Sequence, residues 1–456
     1  MSALRRVLRA RDVREAVLEI PEALYERTAL IVLGAWIVLP LGLWWPGSWV
    51  GMDALYLAWV DLQVGMLALV LGGLLWGACR EGAALSPARD PGRDYLPLAL
   101  FGIFGALAVV ACIVNPTDAA LWGDGYRRES IFTYISYVGF FFLASQVLVP
   151  AHRTILVGLM VGLVTVTCVA TMVLAIAGGW GGGDWTAPLH WQAYMWNSNH
   201  YGYLLAMGGA LVASGSLLAR GGWMRWGLRA IFALVVLTLE FNGTLGAYLA
   251  LVTGCVVVIA WLALTGRPWV GGVFALVAII GGAEIVAGLV GGGLLADLVV
   301  LFQDVQAVSG GAPGAAAAGS GRWALWVSSL EQIAASPWFG HGVEGIADAL
   351  PGEIDRSHNE YLQYAAFFGI PALIAYVAAV LSVFARVVRR SPKIDPITAC
   401  AATAAITYLA SAFVGNTMYY TTPFLFLLLG LVWGGVRDVA RTPDWNIHSD
   451  SGIVMP

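Results

Sequence analysis

The chain has 456 residues, of which 59% are hydrophobic and 11% charged, with 56 glycines, 20 tryptophans and a formal net charge of −4. Its mean hydropathy is +0.78. Soluble proteins carry about 25% charged residues, so this composition excludes a soluble globular domain and predicts an all-α polytopic membrane protein surrounded by membrane lipids. The small net charge argues against nucleic acid as a partner.

Residues 1–27, "MSALRRVLRARDVREAVLEIPEALYER", carry many arginines but also Glu15, Glu19, Glu22 and Glu26, and lack an early apolar core. That pattern is not a secretory signal. Leu4, Val7, Leu8, Val13, Val17, Leu18 and Ile20 recur at roughly helical spacing, which predicts an amphipathic helix on the cytoplasmic membrane surface.

A membrane-crossing helix needs about 20 mostly apolar residues. Nine such runs lie near 28–45, 55–78, 95–114, 130–149, 154–178, 200–218, 226–242, 245–265 and 268–300. They make residues 28–300 a block of nine predicted transmembrane helices. Three more runs, 361–388, 396–415 and 421–437, make 361–437 a second block. Between them, residues 301–360 form the one sizeable extramembrane segment. A short tail, 438–456, follows. Twelve spans put both termini on one side.

Sidedness follows from Lys and Arg, which favour the cytoplasm. With the N-terminus inside, 20 of the chain's 24 basic residues fall in inner segments. The outer segments hold Arg127, Arg128, Arg322 and Arg356. All four flank polar, Gly-containing or His-containing sequence, the main candidate chemistry in the chain. The expectation is a multi-pass protein of the bacterial cytoplasmic (inner) membrane, with cytoplasmic termini and a site facing away from the cytoplasm.

Three outer segments carry information: "NPTDAALWGDGYRRESIF" (115–132), "GGWGGGDWTAPLHWQAYMWNSNHYGY" (178–203), and 301–360. The second is rich in Trp and Tyr, consistent with an interfacial belt or with stacking surfaces for sugar rings or a lipid carrier. The third opens on the low-complexity "SGGAPGAAAAGSG", continues with an amphipathic stretch, "RWALWVSSLEQIAASPW", and ends in "RSHN". No Walker-type glycine loop is present, and no cytoplasmic loop is large enough for a nucleotide-binding domain. The five cysteines are scattered through apolar runs without CxxC spacing, as small buried side chains are.

"GRWALWVSSLEQIAASPWFGHGVEG" (321–345) and "RSHNEYLQYAAFFGIPALIAY" (356–376) resemble the O-antigen ligase family, which also includes O-antigen polymerases and protein O-oligosaccharyltransferases. The matching residues are Arg322, Trp326, Pro337, Gly340, Gly342, His358, Asn359, Leu362, Gly369 and Ile370. "LWGDGYRRESIFTYISYVGFFF" (121–142) is similar to the family's "G...R" entrance to its fourth helix, and "NSNHYGYLLAMG" (197–208) to the Asn-containing start of a middle helix. One departure stands out. Family members commonly carry Ser-Arg-Gly near the outer end of a middle helix, with the Arg implied to bind phosphate. Here "LEFNGTLGAYLAL" (239–251) has Thr244, Leu245 and Gly246. Arg127 or Arg128 would then have to supply that charge, or the donor is bound differently.

The resemblance implies a glycosyltransferase-C-like fold and transfer of a glycan from an undecaprenyl-pyrophosphate-linked donor to a lipid or glycan acceptor. It implies no metal or other cofactor. Arg322, Arg127, Arg128 and Arg356 are candidates for pyrophosphate binding, because guanidinium pairs bidentately with phosphate and stays charged at any relevant pH. Arg356 has the competing reading of a headgroup or loop contact. His358 is the candidate general base, its ordinary pKa lying near ambient pH. Asn359 either orients substrate or caps the helix beginning at 360. Glu240 and Asp53 lie near outer span ends and could extend the hydrogen bonding. His341 reads as a turn residue. Three activities fit: ligation of a glycan, polymerisation of repeat units from the same donor, and, as a different class, transport of a lipid-linked glycan. Clustering of polar residues at one face, without an evident repeat between halves, favours an enzyme.

Overall fold

The computed structural model describes residues 2–43, 62–63, 65–75, 95–123, 129–180, 191–195, 197–289, 295–310, 318–351 and 356–438. They are helical, with no strand among the described residues. The helices run α1 (Ser2–Val7), α2 (Val13–Leu18), α3 (Glu22–Leu43), α4 (Gly65–Leu75), α5 (Leu96–Val114) and α6 (Asp118–Trp122). Next come α7 (Ile131–Ser145), α8 (Pro150–Trp180), α9 (Ser198–Leu218), α10 (Gly222–Asn242), α11 (Leu245–Leu264) and α12 (Val270–Leu289). Last are α13 (Leu295–Ser309), α14 (Arg322–Ala335), α15 (Glu360–Phe368), α16 (Ile370–Arg390), α17 (Pro396–Ser411) and α18 (Thr422–Asp438).

Seven of the described helices, α3, α5, α8, α9, α11, α12 and α16, are long and apolar enough to cross a membrane. The protein is thus a polytopic helical membrane protein, although sequence predicts twelve spans. Helices α4, α7, α17 and α18 fall within predicted runs but are shorter among the described residues. One run differs in shape from expectation, while within 268–300 α12 and α13 are described and residues 290–294 between them lie outside the described residues. The run 361–388 is broken into α15 and α16 at Gly369, whose φ is +87°. A Cβ on Gly369 would stand 2.2 Å from the Trp338 carbonyl oxygen, so the break and the close approach of the 337–342 turn are one feature.

Helix α9 forms the centre. Of its span 83% is buried, against 17–39% for the other six. It packs against α8, α10, α11 and α17. Small residues permit this: a Cβ on Gly208 would lie 2.5 Å from Val164 of α8. A second group forms around α18, which packs on α7, α17 and α16, while α5 packs on α16. Trp36 joins α3 to this group, its ring 4.6 Å from Phe140 and 4.7 Å from Phe424. Cys112, Cys168, Cys255 and Cys400 are buried free thiols, as their apolar context predicts; Cys79 lies outside the described residues.

Candidate functional site

Helix α14 lies along the segment that leads into α15. Arg322, Trp326 and Ser329 stand at i, i+4 and i+7, a spacing that puts them on one helical face. The Trp326 indole Nε1 donates to the His358 carbonyl at 3.4 Å, and the Ser329 hydroxyl bonds that of Ser357 at 2.8 Å. Arg322 is one turn before Trp326 on that face, which brings the arginine and the histidine of the sequence expectation to adjoining elements. Arg322 is half-buried and lies within electrostatic reach of the Tyr203 hydroxyl on α9, which donates to the Val414 carbonyl at 3.0 Å. The start of α9 therefore faces the same end of the bundle, and His200 adds an edge-on ring contact with Tyr420 at 5.3 Å.

Backbone conformation marks the same place. Four non-glycine residues among those described have left-handed φ: Ala193 (+50°), Ser320 (+58°), Glu344 (+58°) and His358 (+47°). Three of them are in or beside this site. Left-handed backbone at a non-glycine residue is uncommon and persists where surrounding contacts over-determine it. The neighbouring turn is held the same way. Gly340 has φ +62°, a Cβ there would stand 2.4 Å from the Phe367 carbonyl carbon, and His341 N–H donates to the Ala366 carbonyl at 2.8 Å. Gly342 N–H donates to Phe367 at 2.9 Å, so the turn satisfies carbonyls at the C-terminus of α15 that have no partner within that helix. His341, read as a turn residue, bonds the Gln332 carbonyl through Nε2 at 2.9 Å.

Beneath His358 is a buried charged network. Arg356 is fully buried, and its Nε donates to Glu344 at 2.9 Å. Its Nη2 also pairs with Glu344, and its Nη1 with fully buried Glu129. Nη1 reaches the Thr417 carbonyl at 2.8 Å as well. Tyr137 donates to Glu129, the Thr417 hydroxyl donates to Glu129 at 3.1 Å, and the Gln363 amide donates to the Thr417 hydroxyl at 2.6 Å. Burial alone would disfavour the Arg356 charge, but Glu344 and Glu129 outweigh it and hold the group firmly protonated. The sequence expectation put Arg356 at the pyrophosphate, or in a headgroup or loop contact. The structure directs its donors to buried carboxylates, Glu344 in the same outer segment and Glu129 from the segment before α7.

Glu360, the next residue after Asn359, is also fully buried. It accepts from Tyr364 and Tyr408, each at 2.9 Å, and its backbone N–H donates to the Ala412 carbonyl at 2.8 Å. Burial pushes its carboxyl pKa up to about 7 against the pull of these tyrosine hydroxyls. Asn359 uses Oδ1 to cap α15, accepting from Tyr361 N–H at 3.0 Å and Leu362 N–H at 3.1 Å. That is the capping alternative left open by the sequence.

Arg127, Arg128 and Asp53 lie outside the described residues. Glu129, next in the chain to Arg128, is described, and its pairing with Arg356 ties the start of α7 to a residue two positions before His358. Leu245, at the expected family arginine, is the first residue of α11. Glu240 is buried on α10. Of the aromatic loop, Trp191 is buried and stacks on Phe241 at 4.8 Å, where it belongs to the core and has no free face for a sugar. Among the described residues, no group of three His, Cys, Asp or Glu side chains is arranged to hold a metal ion. The sequence reading gave no role to Glu129, Glu344, Glu360, Gln363 or Thr417. For the three glutamates the available signal was their place inside the same two outer segments as the arginines.

Residues 230–377 match the protein-family model described as O-antigen ligase. The match contains Arg322, Glu344, Arg356, His358 and Glu360, and excludes Glu129 and Thr417. A comparison with curated proteins finds no match.

Proposed function

From the match of residues 230–377 to the O-antigen ligase family model, we propose that the chain belongs to that family and transfers a glycan from an undecaprenyl-pyrophosphate carrier to an acceptor hydroxyl at the outer face of the bacterial inner membrane. In this reading the chain crosses the membrane twelve times with both termini cytoplasmic. The observation that carries it is the apposition of α14 to the His358 segment, which aligns the Arg322 face with His358.

Arg322, with Arg127 or Arg128, neutralises the pyrophosphate at the bilayer edge, where a low dielectric strengthens each contact. His358 accepts the acceptor hydroxyl's proton as that oxygen forms its bond to the anomeric carbon. The bond from that carbon to the phosphate oxygen breaks through an oxocarbenium-like state, and its electron pair leaves with undecaprenyl pyrophosphate. The departing charge falls on donors already in place. The pyrophosphate leaving group drives the reaction, which suits a compartment without ATP. Arg356, Glu129 and Glu344 fix the His358 segment from below, and Asn359 starts α15 beneath it.

Purified protein supplied with lipid-linked glycan and acceptor is expected to release undecaprenyl pyrophosphate in step with glycosidic bond formation. Arg322→Lys keeps the charge but loses the planar fork, and is expected to lower transfer by an order of magnitude or more, since bidentate pairing is at stake. Movement of intact lipid-linked glycan between leaflets, with no new glycosidic bond, would establish the transport reading in its place.

A further inference from the structure

At the other end of the bundle from the His358 site, the protein has a polar cavity that the proposed transfer reaction does not use. Helix α9 leads away from His200 for 21 residues, about 30 Å at 1.5 Å per residue, and ends beside it. The cavity is about 440 Å³ and lies between the ends of α9, α10, α11 and α12. Arg220, Arg225, Arg229 and Arg267 line it, together with Gly271, and none of the described lining residues is a carboxylate. Among the described residues, none of the four arginines forms an ion pair.

Three of the four side chains are held in place. The Arg225 Nη2 donates to the Ala219 carbonyl at 2.9 Å. The Arg229 guanidinium sits over Trp226 at 4.8 Å, and that of Arg267 over Trp261 at 4.9 Å. The Arg229 Nε is buried without a hydrogen-bond partner among the described residues. A buried guanidinium N–H ordinarily finds an acceptor, and four like charges converging on one cavity repel unless an anion joins them. The surroundings specify which kind of anion. Leu217, Leu218, Leu262 and Pro268 are among the other lining residues, and Trp223 and Trp226 project from α10 at 95% and 66% exposure. Exposed tryptophans beside a charged cavity at the ends of apolar helices belong at a membrane–water interface.

We propose that this cavity binds the phosphodiester headgroup of an anionic phospholipid in the leaflet opposite the transfer site. The four arginines take the phosphate, and the exposed tryptophans of α10 flank the acyl chains. Gly271 lines the cavity, and nothing lies within 4 Å of the position a Cβ would occupy there, so a larger side chain can be placed at the cavity without a backbone clash. The proposal is independent of the transfer chemistry, because it concerns a different end of the molecule and a different ligand.

The test uses the detergent-solubilised full chain and native mass spectrometry with dioleoylphosphatidylglycerol or dioleoylphosphatidylcholine. Phosphatidylglycerol is expected to be retained about tenfold more than phosphatidylcholine. Arg229→Gln/Arg267→Gln is expected to bring it down to the phosphatidylcholine level by removing charge. Gly271→Leu is expected to do the same by filling the space with every charge intact. Thermal melting checks that each variant is folded, and Gly271→Leu keeps the test decisive should the double variant fail to fold. Equal retention of the two lipids, or undiminished phosphatidylglycerol retention by a folded variant, overturns the proposal. So does displacement of the lipid by millimolar inorganic phosphate, which would identify a soluble-anion site.

Discussion

Arg356 and Glu129, 227 residues apart in sequence, form an ion pair in which both side chains are fully buried. Glu344 closes the guanidinium from the other side. The start of α7 and two points of the 301–360 segment are thereby fixed together, two residues from His358. Removing one partner of a buried pair leaves an uncompensated charge and costs about 3–5 kcal/mol. Arg356→Ala is therefore expected to lower the melting temperature in detergent and abolish transfer together. Arg356→Ala/Glu129→Gln, which also removes one stranded carboxylate, is expected to melt above Arg356→Ala alone.

His358 carries a left-handed φ of +47° and, as the proposed base, should separate activity from stability. His358→Ala is expected to reduce transfer by about 10²–10⁴-fold, the usual contribution of a general base. His358→Gly is expected to be equally inactive yet to melt above His358→Ala, because glycine adopts this φ without strain. Transfer assays paired with thermal melts read both outcomes. Undiminished transfer in either variant removes His358 from the chemistry.

The Asn359 side chain accepts two backbone N–H groups at the start of α15. Serine can supply the same acceptor and alanine cannot. Asn359→Ser is expected to keep transfer within a few-fold of the parent, whereas Asn359→Ala loses about 1 kcal/mol of stability. Loss of transfer in a stably folded Asn359→Ser protein would mean that the amide touches substrate.

Burial raises the Glu360 carboxyl from an ordinary value of 4.5 to about 7. The protonated form is thus favoured by folding. The contribution is fully present below about pH 4.5, and stability declines as pH rises through the window from 4.5 to about 7. At about 1.4 kcal/mol per pKa unit, this is on the order of 3 kcal/mol. Glu360→Gln imitates the protonated form. Its melting temperature is expected to exceed the parent's at pH 8 and to vary less between pH 5 and 8; parallel pH profiles of the two proteins would contradict the assignment.

Much of the architecture was legible in the sequence because apolar runs of membrane length are a local property. Helices occur within each predicted run, and the stretches 321–345 and 356–376 fall inside the family match. The break at Gly369 was harder to see. Gly369 and Pro371 punctuate an apolar stretch long enough to read as one span, and the role of Gly369 follows from the Trp338 carbonyl 2.2 Å from where its Cβ would be.

The sequence alone determined that this chain belongs in a membrane, since composition and hydropathy need no partner to be read, and its resemblance to the O-antigen ligase family singled out Arg322 and His358. Only the tertiary structure decided where the other charges go: Arg356 into the interior between Glu129 and Glu344, Asn359 into a cap, and Arg220, Arg225, Arg229 and Arg267 around one cavity. An arginine in sequence has the same charge wherever it stands. Its burial and its neighbours decide whether that charge is neutralised within the protein or remains open to a ligand, and both depend on contacts between distant parts of the chain.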